Sequence, residues 1–359
     1  MSPLRLRTWG VSLSVTIKAG DRPLAAIFGC SGLVLTEAER AFFKTSDPLG
    51  FILFSRNIDT PDQVRALVSE FRSCVGWNAP VLIDQEGGRV QRLRPPHWRS
   101  APPMRQFGEL YYQNPPLAAK AVRANMQAIG VELADLGIDV DCAPCLDVPV
   151  PGAHDVIGNR ALSEDPAVVS FLAKAACEGL IDAGVVPVIK HLPGHGRAGV
   201  DSHKELPVVD ALADDIISAD LPAFQAVSKL PVAAMTAHVV YTAFDPDQTA
   251  TLSQSVIQDV IRTRIGFEGL LMSDDLGMKA LNGSFQDLAA RCLDAGCDIA
   301  LHCSGELDEM EQVAAGCSVL SDHAYQAMEM IDQYRGQPRV EIDLESVSFE
   351  VASLLDPAV

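Results

Sequence analysis

The sequence predicts one α/β domain folded as a (β/α)8 TIM-type barrel. Short apolar runs alternate with helical patterns along most of the 359 residues, the pattern of parallel strands joined by helical crossovers. Eight such runs are present. Asp84, Lys190, His191, His238, Asp274 and His302 each stand at the carboxyl end of one of them. That is the face on which barrel active sites are built. An open doubly wound sheet shows the same alternation and is the alternative.

The first strand is read at 25–30. Thr36 followed by Glu39 is a capping-box pattern, so a helix is expected over 36–43. The second strand is 50–54. Thr60 and Pro61 open a helix with Val64, Leu67, Val68 and Phe71 as its apolar stripe. The third strand, 80–83, runs into Asp84 and a polar stretch to Arg92. A Pro-rich connector leads to a helix over about 116–136 and a fourth strand at 138–142. A long polar loop carries Arg160, and Asp165 with Pro166 opens a helix to about Ala183. The fifth strand is 185–189. A helix over about 211–228 precedes the sixth strand, 232–235, which ends in Thr236 and His238. Ser253 caps a helix to about Thr263, and the seventh strand, 270–272, ends in Ser273, Asp274 and Asp275. A helix near 286–295 leads to the eighth strand, 298–301. Beyond Gly305 there is room for one or two closing helices. The expected organisation is a poorly ordered extension at 1–20, the barrel with its closing helices at 21–340, and a tail at 341–359.

An apolar content of 48% is ample for a large core. The formal charge of −19 argues against nucleic acid and against an anionic membrane surface as partners. Nine cysteines without a framework suit reduced thiols in a cytoplasmic protein. Cys142 and Cys145 match C-x-x-C, but they lie at a strand end and do not open a helix. No apolar run reaches the ~18 residues of a membrane span. Residues 11–17 are too short and serine-rich for a signal peptide. The glycosylation pattern at Asn282 has no consequence in a cytoplasmic protein.

The most chemical stretch is Lys190 to His203, a glycine-rich loop with three histidines, Arg197 and Asp201. Gly194, Gly196 and Gly199 match the dinucleotide pattern G-x-G-x-x-G, but no helix opens there. His191 and His195 have zincin spacing, yet Pro193 and Gly194 forbid the helix that such a pair needs. A hydrogen-bonded loop of purely structural role remains open. Of the carboxylates after the seventh strand, Asp274 is expected to point into the mouth and Asp275 to cap the next helix. Asp84 is suited to accept hydrogen bonds from hydroxyls and Arg92 to donate them, although the two equally suit a surface ion pair. Arg160 is either a ligand contact or a solvated arginine.

With these segments in view the sequence resembles glycoside hydrolase family three, and most of all its single-domain bacterial β-N-acetylglucosaminidases of peptidoglycan recycling. The carriers are Ile83 to Arg92, Ile157 to Arg160, Lys190 to Gly196, Asp201 to His203, Met235 to His238 and Ser273 to Asp275. Leu192 stands where phenylalanine is frequent. The resemblance implies Asp274 as nucleophile and His203 as acid/base with Asp201 as its partner. It implies sugar contacts from Asp84, Arg92, Arg160, Lys190 and His191. It also implies a retaining exo-enzyme acting on N-acetylglucosamine joined β-1,4 to anhydro-muramic acid or its peptides, monomeric and with no cofactor or metal. An Asp–His dyad in place of the usual second carboxylate is chemically sound, because free imidazole titrates near ~6.5 and both gives and takes protons. The rivals are a glycoside phosphorylase with phosphate as acceptor, a metal-dependent hydrolase using His191, His195, His203 and His238, and a sugar-binding protein without turnover.

Overall fold

Eight strands, all parallel, close into a barrel: β1 (Leu24–Phe28), β2 (Pro48–Leu53), β3 (Val81–Ile83), β4 (Val140–Asp141), β5 (Val186–Leu192), β6 (Ala233–Thr236), β7 (Leu271–Asp275) and β8 (Ile299–His302). Each strand pairs with its successor in sequence, and β8 returns to β1 with Ala26 opposite Ala300 and Phe28 opposite His302. A doubly wound sheet keeps two open edges, so closure rules it out. The computed structural model describes residues 22–355. The expected extension at 1–20 lies outside them.

Strands buried on both faces read as continuous Val, Ile and Leu, and β2 and β5 are buried at every position. Two strands run further than their apolar residues suggest. Lys190 and His191 belong to β5 itself, and Ser273, Asp274 and Asp275 belong to β7. The Lys190–His191 peptide is cis.

The crossover helices are α1 (Glu37–Ser46), α2 (Pro61–Val75), α3 (Met104–Tyr111), α4 (Pro115–Asp135), α5 (Pro166–Asp182), α6 (Ala213–Ala219), α7 (Leu221–Gln225) and α8 (Phe285–Ala295). The capping box of α1 forms: Glu39 N–H donates to Thr36 Oγ1 at 3.1 Å and Thr36 N–H to Glu39 Oε2 at 2.7 Å. The helix expected over 211–228 is two short ones, α6 and α7, that meet at Asp220. Pro222 in the first turn of α7 cannot supply the N–H that one continuous helix would need. The helix after Ser253 is π-wound over Val256–Ile265. α3 forms inside the Pro-rich connector, with Met104, Phe107 and Leu110 on its buried face. Three helices follow the barrel: α9 (Leu307–Gly316), α10 (Asp322–Asp332) and α11 (Leu344–Leu355). α11 falls where a tail is expected; Val347 and Val351 are buried and Lys120 of α4 pairs with Glu350.

The amino-terminal end of the barrel is closed by a buried charge network. Arg335, only 1% exposed, donates to Asp139 Oδ2 at 2.6 Å and to Asp332 Oδ1 at 2.7 Å, while Arg72 donates to Asp139 Oδ2 at 2.8 Å. All nine cysteines are free thiols and seven are buried. Among the described residues no helix is long and apolar enough to cross a membrane.

Candidate active site

At the carboxyl end of the barrel, β3 and β5 bring opposite charges together. Lys190 Nζ lies 2.7 Å from Asp84 Oδ1 and 2.7 Å from Glu86 Oε1. Arg92 Nη2 donates to Asp84 Oδ2 at 3.0 Å, and Arg160 grips both oxygens of Glu86 at 2.8 and 2.9 Å. Burial alone would raise the Asp84 carboxyl, but Lys190 and Arg92 hold it far below the usual aspartate range. Glu86 is likewise opposed by burial and is brought down to about 2 by Arg160 and Lys190. Burial would lower the Lys190 ammonium, yet the two carboxylates raise it. The group is therefore fully ionised at neutral pH. Arg92 Nε is buried without a hydrogen-bond partner among the described residues.

The short hairpin Gln85–Gly87 and Val90–Gln91 makes this packing possible. Gly87, at φ 94°, lies against the chain at Pro102, where a Cβ would come within 2.5 Å of a carbonyl oxygen.

A second group is organised by Asp147, in the loop after β4. Its Oδ1 accepts from the backbone N–H of His191 at 3.2 Å and of His195 at 2.6 Å, and its Oδ2 lies 2.6 Å from His191 Nδ1. A carboxylate only accepts, so His191 Nδ1 is the donor of that bond. His195 is buried, and desolvation with the field of His191 pushes it down to about 4.

Asp274, in β7, is partly exposed and accepts from the Asp275 N–H at 2.8 Å. Burial pushes its carboxyl up, but His191, His238 and that N–H together keep it below the ordinary aspartate value. His238 Nε2–H donates to the Asp275 carbonyl at 3.0 Å, and its Nδ1 lies 2.7 Å from Thr251 Oγ1. Burial lowers its pKa. Asp275 does not cap a helix. It caps the turn after β7 through Gly277 N–H and takes Cys303 N–H from β8, while Ser284 caps α8. His302 is buried against Ser304 and Glu309, with its Nδ1 3.7 Å from Asp275 Oδ1.

The loop after β5 carries the remaining pair. His203 Nδ1 lies 2.8 Å from Asp201 Oδ1, which also accepts the His203 N–H at 3.0 Å. Burial raises the Asp201 carboxyl slightly, and these two bonds outweigh it. The His203 side chain is 65% exposed and makes no hydrogen bond to Asp274. Ser202 anchors the loop: its Oγ lies 3.2 Å from His195 Nε2, and its carbonyl accepts from Ala280 N–H, beyond β7, at 3.2 Å. Hinge freedom is the natural expectation for Gly194, Gly196 and Gly199, but only Gly199 has open space around it. A Cβ on Gly196 would lie 2.0 Å from the Val148 carbonyl, and one on Gly194 2.7 Å from Asp220. Those two glycines permit close packing.

The structure thus gathers Asp84, Arg92, Arg160, Lys190 and His191 in bonded groups around the mouth and aims Asp274 at the same end, with Asp201 and His203 above on the loop. Arg160 spends its Nε and Nη2 on Glu86 and its Nη1 on the Val156 carbonyl, which makes it first a holder of Glu86. Glu86, Asp147 and Ser202 are site residues that sequence reasoning missed, and His195 was weighed there only as a metal ligand. Glu86 stood inside a quoted motif, and its signal was the second carboxylate beside Gly87. Asp147 gave no local signal, because its partners come from β5.

A model of the glycosyl hydrolase family 3 N-terminal domain matches residues 33–334. A β-hexosaminidase of Thiobacillus denitrificans is 41% identical over 268 residues, covering 73% of this chain and 73% of the relative. One from Chromobacterium violaceum is 38% identical over 317 residues, covering 87% and 86%. The crystal structure of NagZ from Neisseria gonorrhoeae in complex with N-trifluoroacetyl-D-glucosamine superposes with a TM-score of 0.84 at 29% identity, over 94% of this chain and 99% of that one. Sequence, barrel and mouth agree: the chain belongs to glycosyl hydrolase family 3, as a glycoside hydrolase of the β-hexosaminidase type.

Proposed function

We propose that the protein is a retaining exo-β-N-acetylglucosaminidase. It removes non-reducing terminal N-acetylglucosamine from β-1,4-linked anhydro-muramic acid fragments of peptidoglycan, with or without peptide. It acts in the cytoplasm as a monomer and needs no cofactor. The observation that carries the reading is an ionised carboxylate, Asp274, at the end of β7 beside a preformed set of ionised hydroxyl-binding groups. The structural neighbour from Neisseria binds a glucosamine bearing an N-acyl group, which supports an amide-substituted sugar here.

Asp84 accepts from sugar hydroxyls while Lys190, Arg92 and His191 fix the ring, so that the anomeric carbon meets the Asp274 carboxylate. Asp274 attacks as the bond to the leaving oxygen breaks, and His203 gives that oxygen its proton. A glycosyl ester on Asp274 results. His203 then takes a proton from water, water attacks the same carbon from the face just vacated, and Asp274 leaves with net retention. Asp201 holds the imidazole by Nδ1, which leaves Nε2 for the proton transfer. Closure of the loop over the sugar brings the exposed dyad into reach.

The test compares a chromogenic β-N-acetylglucosaminide with the matching glucoside, each with and without phosphate. Release of free N-acetylglucosamine at a phosphate-independent rate, at least ~100-fold faster than glucose, supports the proposal. A sugar 1-phosphate product makes the protein a phosphorylase instead. Thermal stabilisation by N-acetylglucosamine without turnover makes it a binding protein.

A further inference from the structure

Behind His191 lies a second chemistry that hydrolysis does not use. Cys145, Asp147 and His191 each place one ligand atom within 4.8 Å of the other two. The Cys145 thiol donates to Asp147 Oδ2 at 3.2 Å, and the same oxygen lies 2.6 Å from His191 Nδ1. Cys145 and Asp147 are 0% exposed and His191 is 6% exposed, so His191 is the member that reaches the mouth. We propose that Cys145 Sγ, Asp147 Oδ2 and His191 Nδ1 form a binding site for a borderline-soft divalent cation such as Zn2+ or Co2+, and that occupancy inhibits the enzyme.

The donor set suits such an ion: one thiolate, one imidazole, one carboxylate and a fourth position left for water. Tetrahedral zinc holds S, N and O ligands about 3.3–3.5 Å apart. Against Asp147 Oδ2 the thiol and the ring need to withdraw by about 0.4 and 0.7 Å, and they start within 4.8 Å of each other. Charge balances as well. The ion displaces the thiol proton, and the thiolate with Asp147 neutralises its two charges in a dry site. Burial and Asp147 push the free thiol well up, so without an ion it stays protonated and inert. Binding draws the His191 ring off Asp147 Oδ2 and so displaces a proposed sugar contact, hence inhibition. Cys145 itself touches no proposed substrate contact, and its backbone merely pairs with Lys190.

Only the inhibition arm rests on the glycosidase reading; the binding arm does not. The full-length protein, stripped with chelator, is titrated with Co2+ and followed by near-ultraviolet absorption and by calorimetry in buffers of different ionisation enthalpy. The expected result is a thiolate-to-cobalt band at one equivalent, accompanied by release of the thiol proton. The band is absent from Cys145→Ala. In the activity arm, Zn2+ inhibits the wild type, and Cys145→Ala weakens inhibition by at least ~10-fold while metal-free kcat/KM stays within about twofold. Equal zinc sensitivity in Cys145→Ala overturns the proposal, because the ion would then sit elsewhere, as at Asp201 and His203. A wild-type protein that gives no thiolate band overturns it whether or not the variant folds.

Discussion

At the scale of single residues, the site works by controlling which groups are charged. Lys190 and Arg92 hold the Asp84 carboxyl far down, and His191, His238 and the Asp275 N–H keep Asp274 below the ordinary aspartate value, whereas burial lowers His238 and His195. General acid catalysis is worth ~10² to 10⁴ in rate, so His203→Ala is expected to lose about that much on a disaccharide. On an aryl glycoside with an acidic phenol the leaving group needs no proton, and the pre-steady-state burst of phenol stays close to normal. Equal losses in that first step would return His203 to a structural role. Glu86 supplies a second expectation. Its folded carboxyl titrates at about 2 against an ordinary value of 4.5. The stability it confers is thus present above 4.5 and lost as pH falls towards 2. Glu86→Ala leaves Arg160 and Lys190 each short of a buried partner and is expected to cost ~3–5 kcal/mol at neutral pH, read by denaturant unfolding. A loss below ~1 kcal/mol would mean that the pair is solvated. Residues such as Asp84, Lys190 and Asp274 were legible in the sequence because each directly follows, or ends, an apolar strand. Asp147 was not, because only the tertiary approach of the β4 loop to β5 gives it partners.

At the scale of elements, the loop after β5 is pinned at one end and open at the other. Gly196→Ala drives a Cβ into the Val148 carbonyl and is expected to lower kcat/KM at least ~10-fold by displacing the loop, while Gly199→Ala, in open space, leaves kcat/KM within about twofold. Similar effects from the two substitutions would show that the loop's packing is unimportant. Arg197 ties the same loop to Asp220, between α6 and α7, at 2.6 Å. Burial raises Asp220 to about 6 in spite of Arg197, against an ordinary value of 3.8. A raised carboxyl favours the fold in its protonated form, so this contribution is full below 3.8 and lost as pH rises through 6. Asp220→Asn removes that loss, and its Tm relative to wild type is expected to climb between pH 4 and 6; parallel curves would contradict the assignment. Most crossover helices were readable from caps and apolar stripes. The α6–α7 break was hidden because the helical periodicity continues across Pro222, and α3 because prolines surround it.

At the scale of the whole molecule, the two ends of the barrel carry separate charge networks. The end opposite the mouth is held by Arg335, Asp139, Asp332 and Arg72, none of which touches the site groups. Arg335→Ala is expected to cost ~3–5 kcal/mol of stability with kcat of the folded protein unchanged; a fall in kcat would show that the two ends are coupled. The alternation of eight strands with helices made the architecture legible, and closure then followed from the strand count. What the sequence could not display was depth. The same alternation does not tell a residue at the end of a strand from one just beyond it, and so Lys190, His191 and Asp274 were placed after strands that in fact contain them.

The central claim is that Asp274 forms a covalent bond to the sugar. The most direct measurement uses a slow 5-fluoro-N-acetylglucosaminyl fluoride, followed by proteolysis and mass spectrometry of the trapped protein. The account predicts one sugar per chain, attached to Asp274 in the peptide from β7, with the β anomer as the first product of normal turnover. A label on Asp275, or release of the α anomer, would contradict it.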